Sequence, residues 1–370
     1  MSSVSSMDRI RSRMLYKFMR IKCYRVAGFI FLMLTMLFVI DISGVLRHMQ
    51  EKSFDAEFSY PLERPDFIEI VNAFRKGGNI AIPPINNLYS SIPIETFPVK
   101  NCSEEGHIPL IILVKSAPSN SKLRQAIRET WKVAALESSA KTVFFVGKHQ
   151  INENDEEEVL TRAIDDESNF YKDIVRLDFD DSYYNNTIKT MLEMRWAVEK
   201  CSNFDYALLV DDDYYVSINR IFLFVTNPFE YPPTENSIKR TNQVNQLYAG
   251  YRMHPPPHRH KIMTKWFVPL DEYPYDYFPP YVTAGAILLS KAALFDIYYA
   301  SFYTAHFRFD DIYVAICAKK MNITPINSNY FRFWTTHDES PEEYLIASHG
   351  FSDSERLHRF WESQKSHGYC

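Results

Sequence analysis

The chain has 370 residues, a mass of 43.5 kDa and a net charge of −5, enough to bury the core of one large domain or two small ones. Its Lys and Arg form no stripe outside the extreme N-terminus, so nothing supports a nucleic-acid partner.

Arg9, Arg11, Arg13, Lys17, Arg20, Lys22 and Arg25 precede an uninterrupted apolar run, Val26 to Ile40, which stops at Asp41. As a helix this run spans about 22 Å, short of a hydrocarbon core of about 30 Å. Cys23 and Tyr24 extend it, flanking cations snorkel, and thinner internal membranes accept shorter spans. Positive charge before the span keeps residues 1–25 in the cytosol and sends the chain after residue 40 into a lumen. A cleaved signal peptide is the competing reading, but the basic region is too long for one and no small-x-small site follows. The expectation is a single-pass type II protein with a signal anchor at 26–40.

Luminal exposure agrees with three glycosylation sequons, starting at Asn101, Asn185 and Asn322. On this topology Cys102, Cys201, Cys317 and Cys370 face an oxidising lumen, and four cysteines allow three pairings. Residues 41–107 read as a stem. Pro61, Pro65, Pro83, Pro84, Pro93 and Pro98 favour an extended course, with one short helix near Phe67–Phe74.

From Ile108 the pattern becomes that of a folded domain, 108–370. HIPLIILVKSAP is a buried strand and turn, and SNSKLRQAIRETWKVAAL a helix capped by Ser119, Asn120 or Ser121. KTVFFVGKH is the next strand, and the acidic stretch Glu153–Glu158 opens a solvated helix. DIVRLDFDDSY and NTIKTMLEMRWAVEKC repeat the strand–helix order. FDYALLV then runs into Asp211-Asp212-Asp213, and a short helix follows over about 217–224. Alternating strands and helices imply an α/β domain with a mostly parallel sheet. Beyond residue 226 Pro, Tyr and His accumulate, and HPPPHRH at 254–260 reads as a surface loop rather than a metal site.

Three carboxylates at the end of a buried strand repel one another unless a cation lies between them. Mg²⁺ or Mn²⁺ commonly shares such carboxylates with substrate phosphates, and ligands bind where parallel strands end. The competing reading is a solvated acidic turn. An Asp-rich prenyl-diphosphate site would instead need its carboxylates along a helix.

Five segments occur in order: RQAIRETW (124–131), YKDIVRLDFDDSYYNNTIKT (171–190), LLVDDDYYV (208–216), FPPYVTAGAILLS (278–290) and FDDIYVAICAKKMNI (309–323). Together they resemble the β1,3-galactosyltransferase family, which includes β1,3-N-acetylglucosaminyl- and N-acetylgalactosaminyltransferases and, more distantly, the Fringe enzymes. The resemblance covers roughly 108–325. It implies a GT-A fold behind a signal anchor and stem in the Golgi membrane. It also implies inverting, Mn²⁺-dependent transfer from a UDP-sugar to a glycan acceptor on glycolipid or glycoprotein.

Under this resemblance Asp213 binds the metal, Asp211 and Asp212 face the donor's ribose or uracil, and His337 is a second metal ligand. Asp211 also suits a turn cap. Asp311 falls on the catalytic base, and Asp310 replaces a family Glu beside it. Either acid also suits the start of the helix IYVAICAKKM. Arg124 and Arg128 are expected at the donor, with intrahelical or other salt bridges as the alternative, while Trp131 and Trp196 belong to the core. Gly285 keeps the family glycine near the sugar, Ala284 and Ala286 replace two others, and Val282 stands where many members have Cys. The expected hexose is galactose, with N-acetylglucosamine or N-acetylgalactosamine as alternatives. A non-catalytic glycan-binding or chaperone protein of the same fold is the non-enzyme reading, which the retained acids oppose.

Overall fold

The computed structural model describes residues 6–62, 64–78, 82–95, 102, 106–148, 154–234, 244–260, 265–336 and 338–370. The chain divides into two units, Met1–Phe58 with Pro256–Tyr277, and Ser59–Pro255 with Phe278–Cys370.

In the first unit, α1 (Ser6–Ser43) is one continuous helix. Its stretch Arg11–Ser43 is long and apolar enough to cross a membrane. Its apolar side chains are exposed all round, which is compatible with a membrane span. The expected span at 26–40 lies inside this longer helix. Two short helices follow, α2 (Val45–His48) and α3 (Phe54–Glu57). Around Arg259 the HPPPHRH loop forms a small framework. The buried guanidinium bonds Glu51 Oε1 at 2.6 Å and the carbonyls of Val268, Pro269, Tyr273 and Tyr275.

In the second unit, α4 (Phe67–Arg75), α5 (Leu88–Ser91) and β1 (Ile94–Glu95) are packed elements within the stretch expected to be a stem. Phe67, Val71 and Phe74 share one helical face by their spacing. Phe67 and Val71 are buried, and Phe74 packs on Phe302 with ring centres 4.8 Å apart. That apolar face outweighs the local proline content. The boundary expected at residue 107 thus falls within this unit.

The remaining elements follow in chain order. They are β2 (Ile108–Lys115), α6 (Ser121–Glu129), α7 (Trp131–Glu137), β3 (Lys141–Lys148), α8 (Asn154–Tyr171) and β4 (Ile174–Asp180). Next come α9 (Asn186–Lys200), β5 (Phe204–Asp211), β6 (Tyr214–Val216), α10 (Ile218–Thr226), β7 (Tyr248–Gly250) and β8 (Arg252–Met253). The chain closes with β9 (Tyr281–Val282), β10 (Ala286–Ser290), α11 (Lys291–Ser301), α12 (Asp310–Lys320), β11 (Ile326–Asn327), β12 (Phe331–Arg332), β13 (Ala347–His349) and α13 (Ser354–Ser366).

The main sheet has the order β1-β4-β3-β2-β5-β10-β7-β11. Its centre, β4-β3-β2-β5, is parallel, as the strand–helix alternation predicts. β10 then pairs antiparallel with β5 and with β7, which the sequence pattern did not foretell. Ile111, Ile112, Leu113 and Val114 of β2 are all fully buried, so the strand is covered on both faces. A second sheet, β12-β13-β6, starts directly after the aspartate triplet. Trp131 and Trp196 are core residues, as expected.

Of the three cysteine pairings the sequence leaves open, Cys102–Cys201 forms, across a sequence separation of 99. Cys317 is buried and free, and burial pushes its thiol up to about 12, so it behaves as an inert core residue. Cys370 is also unpaired. Closing so long a loop restricts the unfolded chain. Cys102→Ser or Cys201→Ser is expected to cost roughly 3–5 kcal/mol of unfolding free energy. Urea midpoints with and without reductant measure it. Reductant should lower the wild-type midpoint and leave either variant unchanged.

Candidate active site

Two registers assemble the site. β2 pairs with β5 so that Lys115 stands opposite Asp211 at the carboxyl ends of both strands. β13 pairs with β6 so that His349 stands opposite Tyr214, one residue past the triplet.

The three consecutive aspartates meet three different environments. Asp211 Oδ1 lies 3.0 Å from Lys115 Nζ. Asp212 is buried, with its backbone N–H donating to the Lys115 carbonyl and its Oδ2 accepting from Asn120 Nδ2 at 3.0 Å. Burial pushes the Asp212 carboxyl up to about 6 against the pull of Ser116 and Asn120. Asn120 thus occupies the cap position of α6, while its side chain holds Asp212 rather than capping. Asp213 turns to the opposite side. Its Oδ2 lies 2.9 Å from His349 Nε2, and both side chains keep partial solvent access. The hydrogen bond to Asp213 raises His349 above the ordinary imidazole range. The Asp213 carbonyl accepts the N–H groups of Gly350 and Phe351, which fixes the turn after β13.

Asp310 and Asp311 open α12, so they hold the helix-start position while also facing the site. Asp310 is buried, yet its Oδ2 receives Lys115 Nζ at 2.7 Å and Thr190 Oγ1 at 2.9 Å. Burial alone would raise this carboxyl, but the Lys115 ammonium outweighs it and holds Asp310 below the ordinary range. Asp311 accepts the N–H of Ile312 at 2.8 Å and of Ala284 at 3.3 Å. Burial, and then the charge on Asp310, push Asp311 up to about 7. Adjacent acids are therefore driven apart, one ionised and one poised near neutral pH.

A backbone strap joins the two halves. Ala284 N–H reaches Asp311, and the next carbonyl, Gly285 O, accepts Asp211 N–H at 3.1 Å. Gly285 has φ +101°, and a Cβ there would meet Tyr214 Oη at 2.4 Å. Only glycine suits this turn, so its placement here is a backbone role.

Arg124 and Arg128 are engaged elsewhere. Arg124 is fully buried. It bonds both Glu167 oxygens, Ser116 Oγ and the carbonyls of Ala117 and Pro118. All five of its N–H donors face protein. Arg128 pairs with Glu167 at 2.7 Å and Asp173 at 2.8 Å, with Tyr171 stacked 3.8 Å from its guanidinium carbon. Through Ser116, Ala117 and Pro118, Arg124 braces the turn that follows β2.

His337 and Asn101 lie outside the described residues. Asn322 is exposed at φ +58°, just past α12. Asn185 is half-buried and donates its amide to the Asp180 carbonyl. The sequence reading missed Lys115 and His349. Each had a signal. Lys115 is a charge on the end of an apolar strand, and His349 ends the apolar run YLIAS before a glycine. It also missed Lys189, which bonds the Ser116 carbonyl and Asp181. Beneath them Glu193 is buried with neither carboxyl oxygen hydrogen-bonded, and burial drives its carboxyl well above the ordinary range against the pull of Lys115 and Lys189.

The parallel centre of the sheet thus ends in paired acids and an imidazole, and comparisons with known proteins say which family carries this arrangement. The galactosyltransferase family model matches residues 122–329. The fruit-fly (Drosophila melanogaster) beta-1,3-galactosyltransferase brn is 35% identical, over 92% of this chain and 96% of its own. The Caenorhabditis elegans beta-1,3-galactosyltransferase bre-5 is 30% identical over 85% of this chain and 87% of its own. Human beta-1,3-galactosyltransferase 1 is 30% identical over 79% and 85%. The chain belongs to the galactosyltransferase family, and it is a glycosyltransferase.

Removing the shared ammonium tests this electrostatic frame. Lys115→Met leaves the buried Asp310 and the half-buried Asp211 without their counter-charge, at an expected cost of about 3–5 kcal/mol at neutral pH, mostly through Asp310. The sign of the Asp310 contribution also reverses. In the wild type its carboxyl is depressed, so its stabilisation is present above the unfolded value and lost as pH falls. In the variant the carboxyl is raised, so stability is greatest in acid and lost as pH rises. Urea midpoints across pH 4 to about 8 distinguish the two slopes.

Proposed function

We propose that this protein transfers galactose from a UDP-sugar to the 3-hydroxyl of a glycan acceptor on glycolipid or glycoprotein, with inversion and with Mn²⁺ as cofactor. The observation that carries the reading is Asp311, a carboxyl poised near neutrality beside the ionised Asp310. The names of the relatives support the sugar and the linkage.

In the reaction the acceptor oxygen bonds the sugar's anomeric carbon as its proton passes to Asp311. The anomeric carbon–phosphate oxygen bond breaks from the opposite face, and the nucleoside diphosphate departs with the electron pair. Asp213 Oδ2 and His349 Nε2 now share one hydrogen position 2.9 Å apart. One carboxylate oxygen and one imidazole nitrogen, both partly open to solvent, fit a divalent ion that takes further oxygens from phosphate and water. When bound, Mn²⁺ neutralises charge developing on the leaving diphosphate. His349 takes the ligand role that the sequence resemblance assigned to His337. Asp211 and Asp212 line the donor side with Lys115 and Asn120, and Gly285 keeps the strap close to the sugar. Arg124 and Arg128 support the donor loop from behind. Exposed Tyr183 and Tyr184 offer ring faces to an acceptor. Partial burial, then the charges of Asp310 and Asp311, raise Tyr183 to about 12.

The same reading makes α1 a Golgi membrane anchor with residues 1–25 cytosolic and the catalytic unit luminal, where the Cys102–Cys201 bond suits an oxidising compartment. Asn322 is the described sequon asparagine best exposed for a glycan, and Asn322→Gln should remove one glycosidase-sensitive step in electrophoretic mobility.

Turnover of UDP-galactose, UDP-N-acetylgalactosamine and UDP-N-acetylglucosamine with Mn²⁺ and an acceptor panel tests the proposal, and no turnover of any donor would sink it. Asp311→Asn should lower kcat about 10²–10⁴-fold with little change in donor KM. Because Asp311 must be ionised to accept the proton, wild-type kcat should rise with pH through about 7 and level off above it. Asp213→Ala and His349→Ala should each raise the Mn²⁺ concentration needed for activity. His337→Ala is the control that separates the two histidines.

A further inference from the structure

The first unit holds a feature that glycosyl transfer does not use. The apolar run ends at Ile40 and α1 at Ser43, so Gly44 stands only about 6 Å of helical rise beyond the run. The headgroup layer on each side of a bilayer is about 5–8 Å thick. Groups that touch Gly44 and α2 therefore lie at headgroup depth when α1 crosses a membrane.

The Pro256–Tyr277 segment makes those contacts. Gly44 is buried at φ +77°, and a Cβ there would lie 2.7 Å from the Arg259 carbonyl oxygen. Arg47 Nη1 donates to that same carbonyl at 3.3 Å, and its guanidinium stands 5.6 Å from the Phe267 ring centre. The buried Arg259 locks the loop to Glu51 just after α2. Beside Phe267, Trp266 is 40% exposed, with Lys265 Nζ 5.0 Å from its ring. On the α2 side Val45, Leu46 and Met49 are exposed by 50%, 48% and 78%. A unit this small exposing so much apolar surface needs a cover, and the span continuous with it supplies one.

We propose that this unit is a membrane-surface foot. Val45, Leu46, Met49 and Trp266 immerse in the headgroup layer of the bilayer that α1 crosses, and Lys265 reaches the lipid phosphates. An indole is stable at that depth because its ring prefers the acyl boundary and its N–H prefers water, and an ammonium on a long stem snorkels to the same level. The foot rests on the reading of α1 as a membrane span, and the experiment separates the two.

The full chain is reconstituted into phosphatidylcholine vesicles and first extracted with alkaline carbonate. Trp266 emission is then isolated as the difference between wild type and Trp266→Phe, in vesicles with and without bromine on acyl carbons near the headgroup. The expected result is a retained chain whose Trp266 component loses most of its emission to brominated lipid and is shielded from iodide. As an independent check, Met49→Cys carrying a nitroxide, with Cys23→Ser and Cys370→Ser, should favour oxygen over a water-soluble nickel complex as relaxant. Release by carbonate would overturn the span and the foot together. A retained chain with Trp266 quenched by iodide and not by brominated lipid would overturn the foot alone. Shielding from both quenchers would mean a protein surface covers the patch, which also overturns it.

Discussion

The site depends on one buried ammonium. Lys115 Nζ reaches Asp310 at 2.7 Å and Asp211 at 3.0 Å, and so joins the end of a strand to the start of a helix far away in sequence. Burying such a group is costly, and it is tolerated only because its partners are charged and well placed. The consequence extends one residue further. With Asp310 held ionised, its neighbour Asp311 cannot easily ionise as well, and the pair divides into a fixed anion and a carboxyl that titrates near neutrality. Below them burial raises the carboxyl of Glu193, which opposes a further negative charge in the cluster.

Backbone geometry separates the other acids. At the end of β5 successive side chains diverge, so Asp211 faces Lys115, Asp212 faces Asn120 and Asp213 faces His349. The positive φ of Gly285 lets one turn of chain carry hydrogen bonds to both Asp211 and Asp311. One short strap of backbone thereby fixes the end of β5 against the start of α12, which is the kind of preorganisation a site acting on two substrates requires.

Motif residues can be held wholly by protein groups. Arg124 and Arg128 belong to a segment that strongly resembles the family, and yet Arg124 has all its donors satisfied by protein. An ordered motif reports that a position is constrained. It does not distinguish contact with a ligand from support of the loop that makes contact. In the stretch expected to be a stem, proline spacing speaks of local backbone preference, whereas the face of Phe67, Val71 and Phe74 packs a helix into the unit.

Apolar runs and strand–helix alternation were enough to place the apolar N-terminal helix, the parallel centre of the sheet and the position of Asp211–Asp213 at a strand end, because each rests on hydrophobic period along a local stretch. Asp311 stood out only through a motif. Tertiary structure decided the rest: the Cys102–Cys201 bond, the choice of His349 beside Asp213, and the ammonium that makes Asp310 and Asp311 unlike. These depend on strand register and on which helix start meets which strand end. A one-residue shift in β13 would turn His349 to the other face of its sheet with no change in composition or period. Nearness across a sheet is a property of the packed chain, and no local pattern encodes it.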